Sequence, residues 1–192
     1  MKHIAIFVSG SGSNCENIIR YFANSKDIRP ALVVSNTEKA YALTRAKNLG
    51  VPIVVLNREA CKNQAEVLAL LADYKIDYII LAGFLLMAPN YLIEAYKDRI
   101  INLHPALLPK YGGKGMYGHH VHEAVHAAGE KETGITIHHV SPVCDGGDII
   151  AQFHTRLTPN DTPETIAEKI HILEIAHRPH VIKTYILSHA QS

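Results

Sequence analysis

The chain has no tryptophan, only three cysteines and no block of like charge. Cys15, Cys61 and Cys144 are odd in number, widely separated and never in a C-x-x-C pair. That argues against a disulfide framework and a zinc knuckle, and for a reducing compartment, read here as cytoplasmic. A formal net charge of +1 offers no footprint for nucleic acid and no cationic face for an anionic membrane. No apolar run is long enough to span a bilayer, and the run at 4–8 is shorter than the ~7–15-residue core of a secretory signal. The expected partners are small molecules, bound by a monomer or homodimer.

What is present suits one ordinary globular domain. Of 192 residues, 47% are hydrophobic and 19% charged, enough apolar material for a single core. Near-continuous apolar runs at 4–8, 31–35, 53–56, 78–81 and 100–103 predict strands covered on both faces. Helical patterns at 14–24, 40–49, 63–74 and 90–97 lie between them, so a parallel sheet with right-handed crossovers follows. After Leu108 a Gly-rich loop leads to a predicted helix at 119–128, then strands at 134–140 and 149–156. Thr162 as N-cap, Pro163 at the first helical position and Glu164 in the first turn predict a last helix. Pro179 should break or kink it, with helix resuming to about residue 188.

Three stretches carry chemistry. "FVSGSGSN" runs a strand into a Gly/Ser loop and a helix start, where free N–H groups receive an anion. The third glycine of a dinucleotide fingerprint is Cys15, and Ser35-Asn36 replaces its acidic residue. A phosphomonoester therefore fits better than a dinucleotide, with Ser13 and Asn14 adding polar contacts. In "INLHPALLPKYGG", Asn102 and His104 sit two apart on an extended strand and share a face. In "VCDGGDII", Gly146 and Gly147 permit a tight turn that aims Asp145 back over the sheet. His104 beside Asp145 is an imidazole oriented by a carboxylate, an arrangement that favours its proton-donating form. Asn102 is a neutral donor for a developing oxyanion. With no nucleophile elbow, the set suits direct acyl-type transfer between two bound substrates.

"GSGSN", "LAGF", "NLHPALLPKY" and "GITIHHVSPVCDGGDII" occur in order across essentially the whole chain. On these motifs the chain resembles the phosphoribosylglycinamide formyltransferase family of folate-dependent enzymes. Cys144 departs from the aliphatic residue usual there. The resemblance implies an α/β, Rossmann-like formyltransferase fold, with a mostly parallel sheet of about seven strands and helices on both faces. It implies one domain over 1–192, with a nucleotide-phosphate half at about 1–100 and a folate and catalytic half at about 101–192. It further implies transfer of the formyl group of 10-formyltetrahydrofolate, a co-substrate, to the amine of 5-phosphoribosylglycinamide in purine biosynthesis, without a metal. Gly12, Ser13 and Asn14 would hold the phosphate, and His171 and Glu174 the rest of the nucleotide. Leu85, Leu86, Met87 and Ala88 would line the pterin pocket, with Ser141, Pro142, Val143, Cys144 and Asp145 as its other wall and Asn102 beside it. Asn102, His104 and Asp145 would be the catalytic group, supported by Thr136 and His138. Arg58 and Lys62 are alternatives for meeting the folate tail. Other readings are a sugar-nucleotide or small-amine N-formyltransferase and a non-catalytic nucleotide-binding module.

His122 and His126, spaced i,i+4 beside His119 and His120, and the pair Glu174 and His177 imitate metal ligands. A zinc site needs three or four converging ligands, so these histidines are expected to be exposed helix residues and no metal is expected.

Overall fold

An unbroken apolar run such as 4–8 is shielded from water on both faces only as an interior strand. In the computed structural model, which describes residues 1–189, it lies within β1 (Lys2–Val8), where residues 4–8 are at most 2% exposed. The remaining strands are β2 (Ile28–Ser35), β3 (Ile53–Val55), β4 (Tyr78–Leu81), β5 (Ile100–His104), β6 (Glu132–His139) and β7 (Ile149–Arg156). The sheet order is β3-β2-β1-β4-β5-β6-β7. β1 to β5 pair in parallel, whereas β6 and β7 form an antiparallel pair. The helices are α1 (Ser13–Phe22), α2 (Tyr41–Asn48), α3 (Gln64–Asp73), α4 (Asn90–Ala95), α5 (His119–Ala127) and α6 (Pro163–His189).

The chain divides into two compact units, Leu103–Tyr185 and the remainder, Met1–Asn102 with the described end from Ile186. In the first of these along the chain, β1-α1-β2-α2-β3 winds one way and the chain then crosses back to β4 on the other side of β1. Right-handed crossovers put α1 and α2 on one face and α3 on the other. The contacts agree: α1 packs on α2, and α3 on α4. The strand order reverses at β1, so the carboxyl ends of β1 and β4 flank a switch-point crevice.

Two expectations need correction. β2 begins before residue 31 and includes Pro30, and its register against β1 slips between Ile4 and Ala5. Proline has no N–H for the ladder, and the irregularity accommodates it. The last helix does not break at Pro179; α6 runs continuously from Pro163 to His189. A mid-helix proline costs about 3 kcal/mol, but Ile166, Ile170, Val181, Ile182 and Ile186 are buried on either side of it, and that burial holds both halves helical. Thr162 caps this helix as expected: its hydroxyl accepts from the Thr165 N–H at 3.3 Å, and the Thr165 hydroxyl accepts from the Thr162 N–H at 2.9 Å.

Candidate active site

In the N-terminal unit, the Gly/Ser loop runs from Val8 into α1. Gly12 is the N-cap, with φ +79° and ψ +20°, and no side chain caps the helix. A methyl group on Gly12 would lie 2.5 Å from the Cα of Ala42, so both backbone conformation and close packing require glycine. Ser13 and Asn14 open the helix and are half-buried. Arg45 on α2 donates through Nε to the Ser11 carbonyl at 2.9 Å and pairs through Nη1 with Glu16. Arg45 and Arg20 together hold the Glu16 carboxyl below the usual carboxylate range. The loop thus has a cationic brace that local sequence does not announce, since its partners are 29 and 34 residues away.

The segment after β4 is tied to the same loop. The Leu85 N–H donates to the Ser9 hydroxyl at 2.9 Å, and the Phe7 and Phe84 rings meet edge to face at 5.3 Å. Leu85 and Met87 are each 65% exposed, Leu86 is half-buried and Ala88 buried. Exposed apolar side chains on an anchored backbone make a ready surface for an apolar ligand. Asn102, half-buried on β5, lies opposite Leu81 of β4. Lys62 is engaged by Glu59 at 2.8 Å, while Arg58 is exposed.

The C-terminal unit brings His104 and Asp145 together. His104 ends β5 and is 3% exposed, with Nδ1 3.4 Å from Asp145 Oδ2. Its Nε2 lies 2.6 Å from the Tyr111 carbonyl oxygen, which accepts only, so Nε2 carries the proton. The Asp145 carboxylate also accepts from the Gly113 N–H at 2.9 Å, and His138 Nε2 stands 3.7 Å from its other oxygen. His138 Nδ1 donates to the His139 carbonyl at 2.8 Å, and burial lowers the pKa of this ring. The tight turn differs from expectation in detail. The left-handed φ of +54° falls on Asp145 itself, not on Gly146 or Gly147. Gly147 is required because a Cβ there would run into the His139 carbonyl.

Thr136 on β6 secures the segment leaving β5. Its hydroxyl donates to the Ala106 carbonyl at 2.7 Å and accepts from the Leu108 N–H at 3.0 Å. Gln152 on β7 donates to that hydroxyl and to the Leu108 carbonyl, both at 2.9 Å. Gln152, Tyr111 and Arg45 drew no role from sequence: Gln152 and Arg45 act on partners distant in sequence and lie outside the quoted motifs, whereas Tyr111 ends the NLHPALLPKY motif but acts through its backbone carbonyl. The 141–145 wall is shaped by the Ser141 hydroxyl, which donates to the Val143 carbonyl at 2.9 Å, while Pro142, Val143 and Cys144 are exposed. On α6, His171 Nδ1 lies 3.4 Å from Glu174 Oε2.

The histidine-rich helix α5 corrects one expectation. His119, His120 and His126 are exposed, but His122 is 8% exposed, on the face that buries Val121 and Val125. Its Nδ1 has no hydrogen-bond partner among the described residues, and burial lowers its pKa. His177 stacks on Phe153 with centroids 3.8 Å apart. Among the described residues, no three His, Cys, Asp or Glu side chains converge on a metal position.

A Formyl transferase family profile matches residues 2–182. The chain belongs to the formyl transferase family. Among curated relatives, it is 36% identical to the phosphoribosylglycinamide formyltransferase of Bacillus subtilis, over 95% of this chain and 94% of that one. It is 39% identical to the chloroplastic phosphoribosylglycinamide formyltransferase of Arabidopsis thaliana over 88% of its own length. The chain spans 60% of that plant relative and 56% of the one from Vigna unguiculata. The solved phosphoribosylglycinamide formyltransferase of Bacillus halodurans superimposes with a TM-score of 0.87 at 34% identity, covering 96% of this chain and 95% of that one. The formyl transferase fold expected from the motifs, a mostly parallel seven-stranded α/β sheet, is the fold observed.

Proposed function

We propose that the protein transfers the formyl group of 10-formyltetrahydrofolate to the glycine amine of 5-phosphoribosylglycinamide, a step of purine biosynthesis. The observation that carries this reading is the 3.4 Å approach of His104 Nδ1 to Asp145 Oδ2, with Asn102 two residues earlier on the same strand. Two relatives that match most of this chain and bear the name of that activity support it.

The amine lone pair attacks the formyl carbon, and the carbonyl oxygen becomes an oxyanion. Asn102 donates to that oxyanion, as does His104 through an Nε2–H shared with the Tyr111 carbonyl, each contribution on the order of 10²–10³-fold. Collapse breaks the bond to the folate nitrogen, which leaves with a proton delivered by His104 or by water, while the attacking amine releases one. Asp145 orients the imidazole and balances its charge. Gly12, Ser13 and Asn14 receive the phosphate, Glu174 the ribose hydroxyls, and His171 the nucleotide beside it. Leu85, Leu86, Met87 and Ala88 hold the pterin, with 141–145 as the other wall. No protein side chain is acylated, and no metal takes part. Free thiols at Cys15, Cys61 and Cys144 suit a reducing compartment such as the cytoplasm.

The test is an absorbance assay for tetrahydrofolate with glycinamide ribonucleotide as acceptor. His104→Ala and Asp145→Asn are each expected to lower turnover at least about 10²-fold, while nucleotide affinity stays near wild type. Wild-type turnover in either variant defeats the assignment. Binding of nucleotide with indifference to folate would point instead to a non-catalytic module.

A further inference from the structure

We propose that Glu130 is a positioning residue for His104, acting through Tyr111; this rests on the formyl-transfer reading of His104. The chain of contacts lies within the C-terminal unit. Glu130 follows α5, and its Oε1 accepts from Lys110 Nζ at 2.8 Å and from the Tyr111 hydroxyl at 2.9 Å. Those two donors hold the Glu130 carboxyl below the usual range. The Tyr111 side chain is therefore pinned at its far end. It lines a cleft of about 270 Å³ together with Leu107, Leu108, Pro109 and Thr133.

The Tyr111 backbone is what this anchor controls. Its φ of +55° is left-handed, a conformation a tyrosine keeps only when its surroundings impose it. In that conformation its carbonyl meets His104 Nε2 at 2.6 Å. Two residues on, the Gly113 N–H holds the Asp145 carboxylate at 2.9 Å, facing the other ring nitrogen. One short loop thus fixes the imidazole tautomer and aims its carboxylate partner. Glu130 anchors the Tyr111 end of this loop from outside it, as Asp145 does the Gly113 end. Released from Glu130, Tyr111 returns to right-handed φ, its carbonyl leaves Nε2, and either tautomer of His104 becomes accessible.

The titratable groups that face the His104 imidazole are Asp145, His138 and His122, and His104 contributes to the lowered pKa of both histidines. Nothing in this set involves Glu130 directly, so a change at His104 on altering Glu130 must pass through Tyr111.

The test compares wild type, Glu130→Ala, Tyr111→Phe and Glu130→Gln by nitrogen-15 NMR of the His104 ring and by the pH profile of turnover. Tyr111→Phe removes the bond between Tyr111 and Glu130, and Glu130→Ala removes that bond together with the one from Lys110. They should lower kcat about threefold to tenfold, leave both KM values near wild type, displace the pH profile and alter the Nε2–H signal. Glu130→Gln keeps an acceptor oxygen for the Tyr111 hydroxyl and should preserve the signal and the profile. A lower Tm in Glu130→Ala with unchanged His104 signal and pH profile would mean a merely structural role and overturn the proposal. So would a Glu130→Gln protein as perturbed as Glu130→Ala. The NMR comparison needs no substrate. A wild-type protein that transfers no formyl group would therefore sink the functional reading while the ring signals still decide the positioning.

Discussion

Replacing Gly147 with alanine tests whether the turn that carries Asp145 sets the reaction geometry. The new methyl would overlap the His139 carbonyl oxygen and lie 2.7 Å from its carbon. Ordinary contact between such atoms is about 3.5–4.0 Å, so residue 147 must retreat from β6 by roughly 1 Å. The same place carries a ladder bond, His139 N–H to the Asp148 carbonyl at 2.9 Å, which resists the retreat. Asp145 is two residues away, held by Gly113 at 2.9 Å and facing His104 at 3.4 Å. A displacement of that size takes the carboxylate out of range of the imidazole. Misplacement by about 1 Å can lower turnover on the order of 10²-fold, and overpacking costs about 1–3 kcal/mol of stability. Gly146→Ala is the matched comparison. Its methyl meets Val143 alone, 2.8 Å from Cγ1, 2.9 Å from Cβ and 3.4 Å from the carbonyl oxygen, so Val143, which is 68% exposed, must give way towards solvent. Turnover there should stay within about threefold of wild type, as for a surface change, with any effect appearing in KM for the folate. Steady-state formyl transfer and thermal melts of both variants are the assay. A Gly147→Ala enzyme with wild-type turnover, or equal damage from both alanines, would refute the reasoning.

Three further outcomes are expected. Gly12→Ala places a methyl against the Ala42 backbone and imposes a left-handed alanine, the latter costing about 1–2 kcal/mol; calorimetry should show weaker nucleotide binding with folate affinity retained. Asp161 is held well below the carboxylate range, chiefly by Lys169 at 2.7 Å and then by the Thr158 N–H at 2.6 Å. A depressed carboxyl stabilises the fold above its unfolded pKa of about 3.9 and loses that effect as pH falls through the folded value. Asp161→Asn should lower Tm at neutral pH, with the gap to wild type closing below about pH 4. His122 and His138 also have lowered pKa values, through burial. Folding therefore disfavours their charged forms, and stability is full above about pH 6.5 and falls below it. Melts of His122→Gln should show a shallower loss between about pH 7 and 5 than wild type.

Much of the fold was legible because its signals are local. Apolar runs of strand length, helical spacing between them and the Thr162–Pro163 start all correspond to observed elements. The helix does not break at Pro179 because a proline's cost is local, whereas the burial that offsets it is spread along α6. His122 misled because its i,i+4 pattern does not reveal which face of α5 is covered. In the candidate site, the residue types at 102, 104 and 145 stood out in sequence, yet Tyr111 contributes through its carbonyl and Arg45 through partners in distant segments. Neither contribution leaves a pattern in the order of residues.

The amino-acid sequence by itself determined the parallel α/β architecture, the glycine at position 12 and the family, because hydrophobic period, backbone freedom and motif order are properties of short segments. Only the tertiary structure decided that the Asp145 carboxylate stands 3.4 Å from His104 and that Nε2 is held by the Tyr111 carbonyl. It also decided that His122 is buried. These depend on where separate segments come to rest against one another, which is settled by the packing of the chain.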